Sequence, residues 1–75
     1  MKELVGYLAK NLVDHPEGVE VSATEEGDTS KLMLRVAEED KGKIIGKQGK
    51  VIKALRAVVT MAAAKANQKT VLDLE

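Results

Sequence analysis

A chain of 75 residues with 12 basic and 12 acidic side chains has no formal net charge, no cysteine and a single aromatic residue, Tyr7. It makes one small domain over residues 1–75 that buries only about 60–65% of its unfolded surface, so it needs a tightly packed core or an oligomer. Disulfide frameworks and thiolate metal sites are excluded, and no apolar run approaches the roughly 20 residues of a membrane span. Met1–Asn11 is amphipathic and carries Glu3 and Lys10, unlike a signal peptide. A soluble, cytoplasmic protein is expected.

Leu4, Val5, Leu8 and Leu12 recur at helical spacing, which predicts an amphipathic helix over residues 2–14. It should stop at His15, because the residue before Pro16 is pushed out of the helical region. Glu17 and Gly18 open a first strand, in which Val19, Val21 and Ala23 alternate with polar residues. Glu25 to Ser30, with Gly27-Asp28, reads as a hairpin turn. In the second strand Leu32, Leu34 and Val36 share one face, and Lys31, Met33 and Arg35 the other. Glu38, Glu39 and Asp40 suit the first turn of a short helix that runs to about Ile45.

Gly46, Lys47, Gln48 and Gly49 then form a Gly-x-x-Gly turn, followed by a long helix over residues 50–66. Asn67, Gln68 and Lys69 make a short connection, and Thr70 to Leu74 is a final strand. The second and last strands are joined through two helices, a crossover that makes them parallel, while the first hairpins onto the second. The fold class is therefore α+β, in the order α-β-β-α-α-β, with a three-stranded mixed sheet and helices on one face.

Charge points to the same loop. Residues 41–56 contain Lys41, Lys43, Lys47, Lys50, Lys53 and Arg56 and no acidic residue, giving +6 and leaving −6 on the remainder. A neutral chain with its cations gathered in one place suits a local polyanion. Glycines at both ends of the loop let its backbone N–H groups come close to a phosphate, and Lys47 and Gln48 at the tip are placed to contact phosphate and sugar. Lys43 and Lys50 flank the path. Ile45 and the edge of the second strand at Arg35 and Val36 are expected to wall an apolar groove for bases. One of Ile44 and Ile45 should belong to the core, and the sequence does not say which.

The pattern Ile-Ile-Gly-Lys-Gln-Gly-Lys-Val-Ile-Lys-Ala-Leu-Arg over 44–56 resembles the signature of KH domains, whose loop clamps the backbone of about four single-stranded nucleotides. The predicted element order is that of the prokaryotic, type II KH fold. With Lys2-Glu3-Leu4-Val5, Leu12-Val13-Asp14-His15-Pro16 and Lys31-Leu32-Met33-Leu34-Arg35-Val36 in their expected places, essentially the whole chain is similar to the KhpA family of small bacterial single-KH proteins. That resemblance implies single-stranded RNA as partner, RNA-chaperone or post-transcriptional regulatory work, and pairing with a larger KH-containing, KhpB-like protein.

Other chemistries find no support. Tyr7 lies away from the motif, so the exposed aromatic platforms of RRM and OB domains are missing. Gly49-Lys50 is followed by Val51 and preceded by a helix, which departs from the Walker pattern. His15, the one histidine, sits beside Pro16 at a helix end. No catalytic residues, metal ligands or cofactor site are expected, and the protein is not expected to be an enzyme.

The long helix is apolar around most of its circumference. Ile52, Leu55, Val59, Ala62 and Ala66 suit the sheet, whereas Ala54, Ala57, Val58 and Met61 fall on another side. A symmetric homodimer with Val58 near its centre, flanked by Ala54 and Met61, is the expectation. The competing account is that the alanines merely supply helix propensity. The alternative function is a protein-interaction module acting through this helix, with little direct RNA binding.

Overall fold

The computed structural model describes residues 1–75. Its elements are α1 (Lys2–Leu12), β1 (Glu20–Glu26), β2 (Thr29–Arg35), α2 (Lys41–Ile45), α3 (Lys50–Lys65) and β3 (Lys69–Leu74), with single 3-10 turns at Pro16–Gly18, Glu38–Asp40 and Lys47–Gly49. The sheet order is β1-β2-β3. β1 pairs antiparallel with β2, Val21 opposite Leu34, and β3 pairs parallel with β2, Leu72 beside Leu32. This is the expected α+β arrangement of a KH fold.

Alternation in β2 decides which face is covered. Leu32, Leu34 and Val36 point into the core with Leu72 of β3, where they meet Val5 and Ala9 of α1, Ile44 of α2 and Ile52, Leu55 and Val59 of α3. α1 lies against β1 and α3 against β3. From Val59, the next fully buried position of α3 is Ala63; Ala62 is half-buried and Ala66 exposed. The expected stripe drifts off the core here, because a 3.6-residue period continues from Val59 at i+4. The helix then closes on Asn67 (φ 56), with the Asn67 amide donating to Ala64 O and the Gln68 amide to Ala63 O. That is a Schellman ending with asparagine in the left-handed position.

α1 stops at Leu12, two residues short of expectation. Val13 is extended (φ −110, ψ 162), and the amides of Asp14 and His15 donate to the Asp40 carboxylate at 3.2 and 2.9 Å. Asp40, expected in an acidic first turn, is 1% exposed. Two charge-assisted bonds to amides that leave a helix account for its burial. β1 begins later than expected, after the turn at Pro16–Gly18, where Gly18 packs against Ala37. The hairpin is also tighter. Glu25 pairs with Ser30 and Glu26 with Thr29, leaving only Gly27-Asp28 in the turn, with glycine (φ 62) at its first position.

Candidate nucleic-acid interface

α2 ends because the chain turns at Gly46, which takes φ 73 and ψ 176. Only glycine occupies that region at low cost, and a Cβ there would lie 2.4 Å from Val51 Cγ2. Gln48 (φ 58) and Gly49 (φ 73) follow with left-handed backbone, and α3 starts at Lys50. The two isoleucines are now distinguished: Ile44 is fully buried, and Ile45 is 41% exposed beside the loop.

The expectation that the two glycines offer free amides to a phosphate is not met. The glycine amides are already engaged, Gly46 N–H with Gly42 O at 2.8 Å and Gly49 N–H with Gly46 O at 3.2 Å. Lys47 and Gln48 lie in the single turn before α3, Gln48 with left-handed backbone, and the Lys50 amide donates to Lys47 O. Both residues are exposed.

Ion pairing sorts the six cations. Lys41 meets Glu38 at 3.2 Å, Lys43 is paired with Asp14, and Arg56 lies 3.5 Å from Asp73 while its Nε donates to Leu72 O at 3.0 Å. Lys47, Lys50 and Lys53 have no carboxylate partner. Lys53 was not singled out as a contact residue, yet its Cε is 4.0 Å from where a Gly49 Cβ would stand. Its signal in the sequence is the i,i+3 spacing from Lys50, which puts the two lysines on one side of the first turn of α3.

The bond to Lys43 and its charge hold the Asp14 carboxyl below its ordinary value of 3.8. A depressed acid contributes stability above its unfolded pKa and loses it as pH falls through the folded one, so this contact persists through neutral pH and fails only in acid below 3.8. Followed by NMR, Asp14 should titrate below 3.8, and Lys43→Met should return it towards that value. A midpoint indifferent to the substitution would mean that no such pair forms.

The groove wall proposed from the second strand needs correction. β2 is the central strand, paired on both sides, and has no free edge. Val36 is buried at 5% exposure. Arg35 stands opposite Glu20 and lines a cleft with Gly18, Ala37, Glu38, Lys41 and Glu75 that contains no loop residue. The free strand edge alongside α3 belongs to β3, where Arg56 reaches the Leu72 carbonyl.

Of the residues expected at a dimer surface, Ala54 and Val58 line one groove and Met61 does not. Val58 and Met61 are 36% and 61% exposed. Ala54 and Val58 line an apolar groove of 330 Å³ between α1 and α3 together with Leu8, Leu12 and Val51.

The family model described as KhpA/KhpB, KH domain matches residues 2–74. The chain belongs to this KH-domain family. It is 50% identical over 74 residues to the RNA-binding protein KhpA of Clostridium perfringens, 99% of each chain being covered. The KhpA of Halalkalibacterium halodurans is 47% identical, with 99% of this chain and 97% of that one aligned. For the KhpA of Chlamydia muridarum the figures are 43%, 99% and 95%. Among solved structures, Aquifex aeolicus Era in complex with GDP and aluminium fluoride matches with a TM-score of 0.64 and 25% identity. The alignment covers 97% of this KH domain and 28% of that chain. Membership of this family makes the chain a binding domain and not an enzyme.

Proposed function

We propose that this KH domain binds single-stranded RNA, holding the sugar–phosphate chain at Gly46–Gly49 as an RNA chaperone or post-transcriptional regulator in the bacterial cytoplasm. The observation that carries this reading is the trio Lys47, Lys50 and Lys53: three cations without carboxylate partners, gathered around an exposed loop tip. Full-length similarity to proteins named RNA-binding protein KhpA supports it. Phosphate contacts of this kind position a strand without reading its sequence. Ile45 supplies an exposed apolar contact beside the loop. Lys43 joins the set only by exchanging Asp14 for a phosphate, a small cost for a surface pair.

Two to four phosphate contacts give a shallow salt dependence. Measured by fluorescence anisotropy with a labelled single-stranded RNA, log K against log salt should have a slope of about −1.4 to −2.8. Affinity independent of salt would exclude the lysine-ringed loop as the contact.

The groove between α1 and α3 supports a second element of the reading, a homodimer through Ala54, Val58 and Met61, with the same surface available to a KhpB-like partner. Two loops in one dimer raise avidity where a single RNA spans both. Val58→Glu places a charge in this surface and should convert the dimer to monomer in sedimentation equilibrium. An unchanged mass would remove α3 from the interface.

A further inference from the structure

A strand at the edge of a sheet carries backbone N–H and C=O groups that no neighbour satisfies, and folded proteins commonly cover or interrupt such edges. The sheet has two edges, β1 and β3. On β3 the Arg56 side chain closes onto the strand, its Nε donating to Leu72 O at 3.0 Å. β1 has no such guard. It runs for seven residues in unbroken register with β2, without proline, and no side chain is hydrogen-bonded to its backbone.

A groove of 460 Å³ lies between α1 and the start of this strand. Lys2, Gly6, Tyr7 and Lys10 of α1 form one wall, and Val19 and Val21 the other. Glycine is unfavourable inside a helix, and the fold does not require it here: a Cβ on Gly6 would meet only Val21 Cγ2, at 3.8 Å. What the missing side chain does is keep the groove open. Tyr7, the one aromatic residue, stands 67% exposed at the rim, where a strand laid in the groove would cover it.

Charge selects the occupant. Residues 17–28 contain five acidic side chains and no lysine or arginine. Glu20 and Glu26 fall on the face of β1 opposite to Val21, and neither is ion-paired. An antiparallel pairing with a second copy about Ala23 would set Glu20 against Glu26, like charges directly opposed. A basic strand is attracted there instead. Lys2 and Lys10, about two turns apart and also unpaired, repel basic side chains on the groove side and so fix which face of that strand turns inward. We propose that β1 accepts an extended segment of a partner protein as a fourth strand, with apolar side chains seated between Val21 and Gly6 and basic side chains on the other face beside Glu20 and Glu26. The surface uses none of the loop residues, and the proposal is independent of the RNA-binding reading.

The probe is a peptide of the length of β1, seven residues alternating lysine and valine and capped at both ends. Its control is the same peptide N-methylated at every second residue, which keeps the charge and removes strand pairing. Titrated into the full chain and followed by NMR, the first peptide should shift the amide signals of Glu20–Glu26, and the methylated one should not. Gly6→Gln fills the groove and should weaken the peptide about tenfold, with RNA affinity unchanged and an unfolding temperature equal to or above that of the parent. Glu20→Lys with Glu26→Lys, both at exposed positions, gives a second variant with the same expected loss. Unmoved β1 signals, equal binding of the methylated peptide, or parental affinity in the folded variants would overturn the proposal. So would β1 signals that shift with protein concentration alone, since a second copy would then hold the edge.

Discussion

Gly46→Ala should cost about 2–5 kcal/mol, most of the stability that a domain of this size has. Two independent effects add. The backbone at φ 73, ψ 176 is a region in which a side chain is strained by about 1–3 kcal/mol. The new methyl would also stand 2.4 Å from Val51 Cγ2, 2.8 Å from its Cβ and 2.9 Å from its amide nitrogen, and no rotation of Val51 relieves contacts to its own Cβ and backbone. Relaxation therefore requires α3 to move away from α2. Gly49→Ala is the internal control: its φ is also 73, but the space beside it is open, so only the left-handed backbone is penalised, about 1–2 kcal/mol. Urea unfolding followed by circular dichroism should separate the two variants clearly. Equal midpoints would mean that the loop relaxes freely and that Gly46 does not fix the angle between the helices.

Reversing the loop's charge has the opposite profile. Lys47 and Gln48 are exposed, and Lys47 has no ion-pair partner, so Lys47→Asp with Gln48→Asp removes little from the fold. What it removes is a charge-assisted contact and a polar one, each replaced by a carboxylate facing a phosphate. Charged hydrogen bonds are worth about 1.5–3 kcal/mol, so binding to single-stranded RNA should weaken by about a hundredfold or more. Unfolding midpoint and molecular mass should stay those of the parent. RNA retention at parental strength by a folded double variant would move the binding surface elsewhere, and the apolar groove between α1 and α3 would then be the functional face.

The two variants divide the loop into a part the fold requires and a part it merely displays, and the sequence announced them unequally. Period and punctuation were enough for the element order. Val-x-Val and Leu-x-Leu alternation marked β1 and β2, Pro16 and Gly46 marked breaks, and the crossover rule made β3 parallel to β2. Long-range partners were not visible. Nothing local says that Asp40 will turn inward to cap the end of α1, because its burial depends on amides of residues 26 and 25 positions earlier. The same limit hid the pairing of Lys43 with Asp14, which lowers its standing as a free phosphate contact. It also misplaced the groove wall on β2, whose edges are both occupied once β3 docks. Ile44 and Ile45 are chemically identical neighbours, and only the direction in which α2 presents them makes one core and the other surface.

Glycine chemistry was more legible than charge chemistry for a physical reason. A glycine that must be glycine answers to its own φ and its nearest atoms, which the motif predicts. A lysine's availability depends on whichever carboxylate the tertiary fold brings near. Lys43 illustrates the second case, since only the fold brings Asp14, 29 residues away in the chain, to it.

The most direct test of the central claim is a titration of the protein with single-stranded RNA in which every backbone amide is followed by heteronuclear NMR. The signals of Lys47, Gln48, Gly49 and Lys50 should move first and furthest, with those of the β1–β2 hairpin around Gly27 unmoved. Loop signals that stay in place while RNA binding is saturated would contradict it.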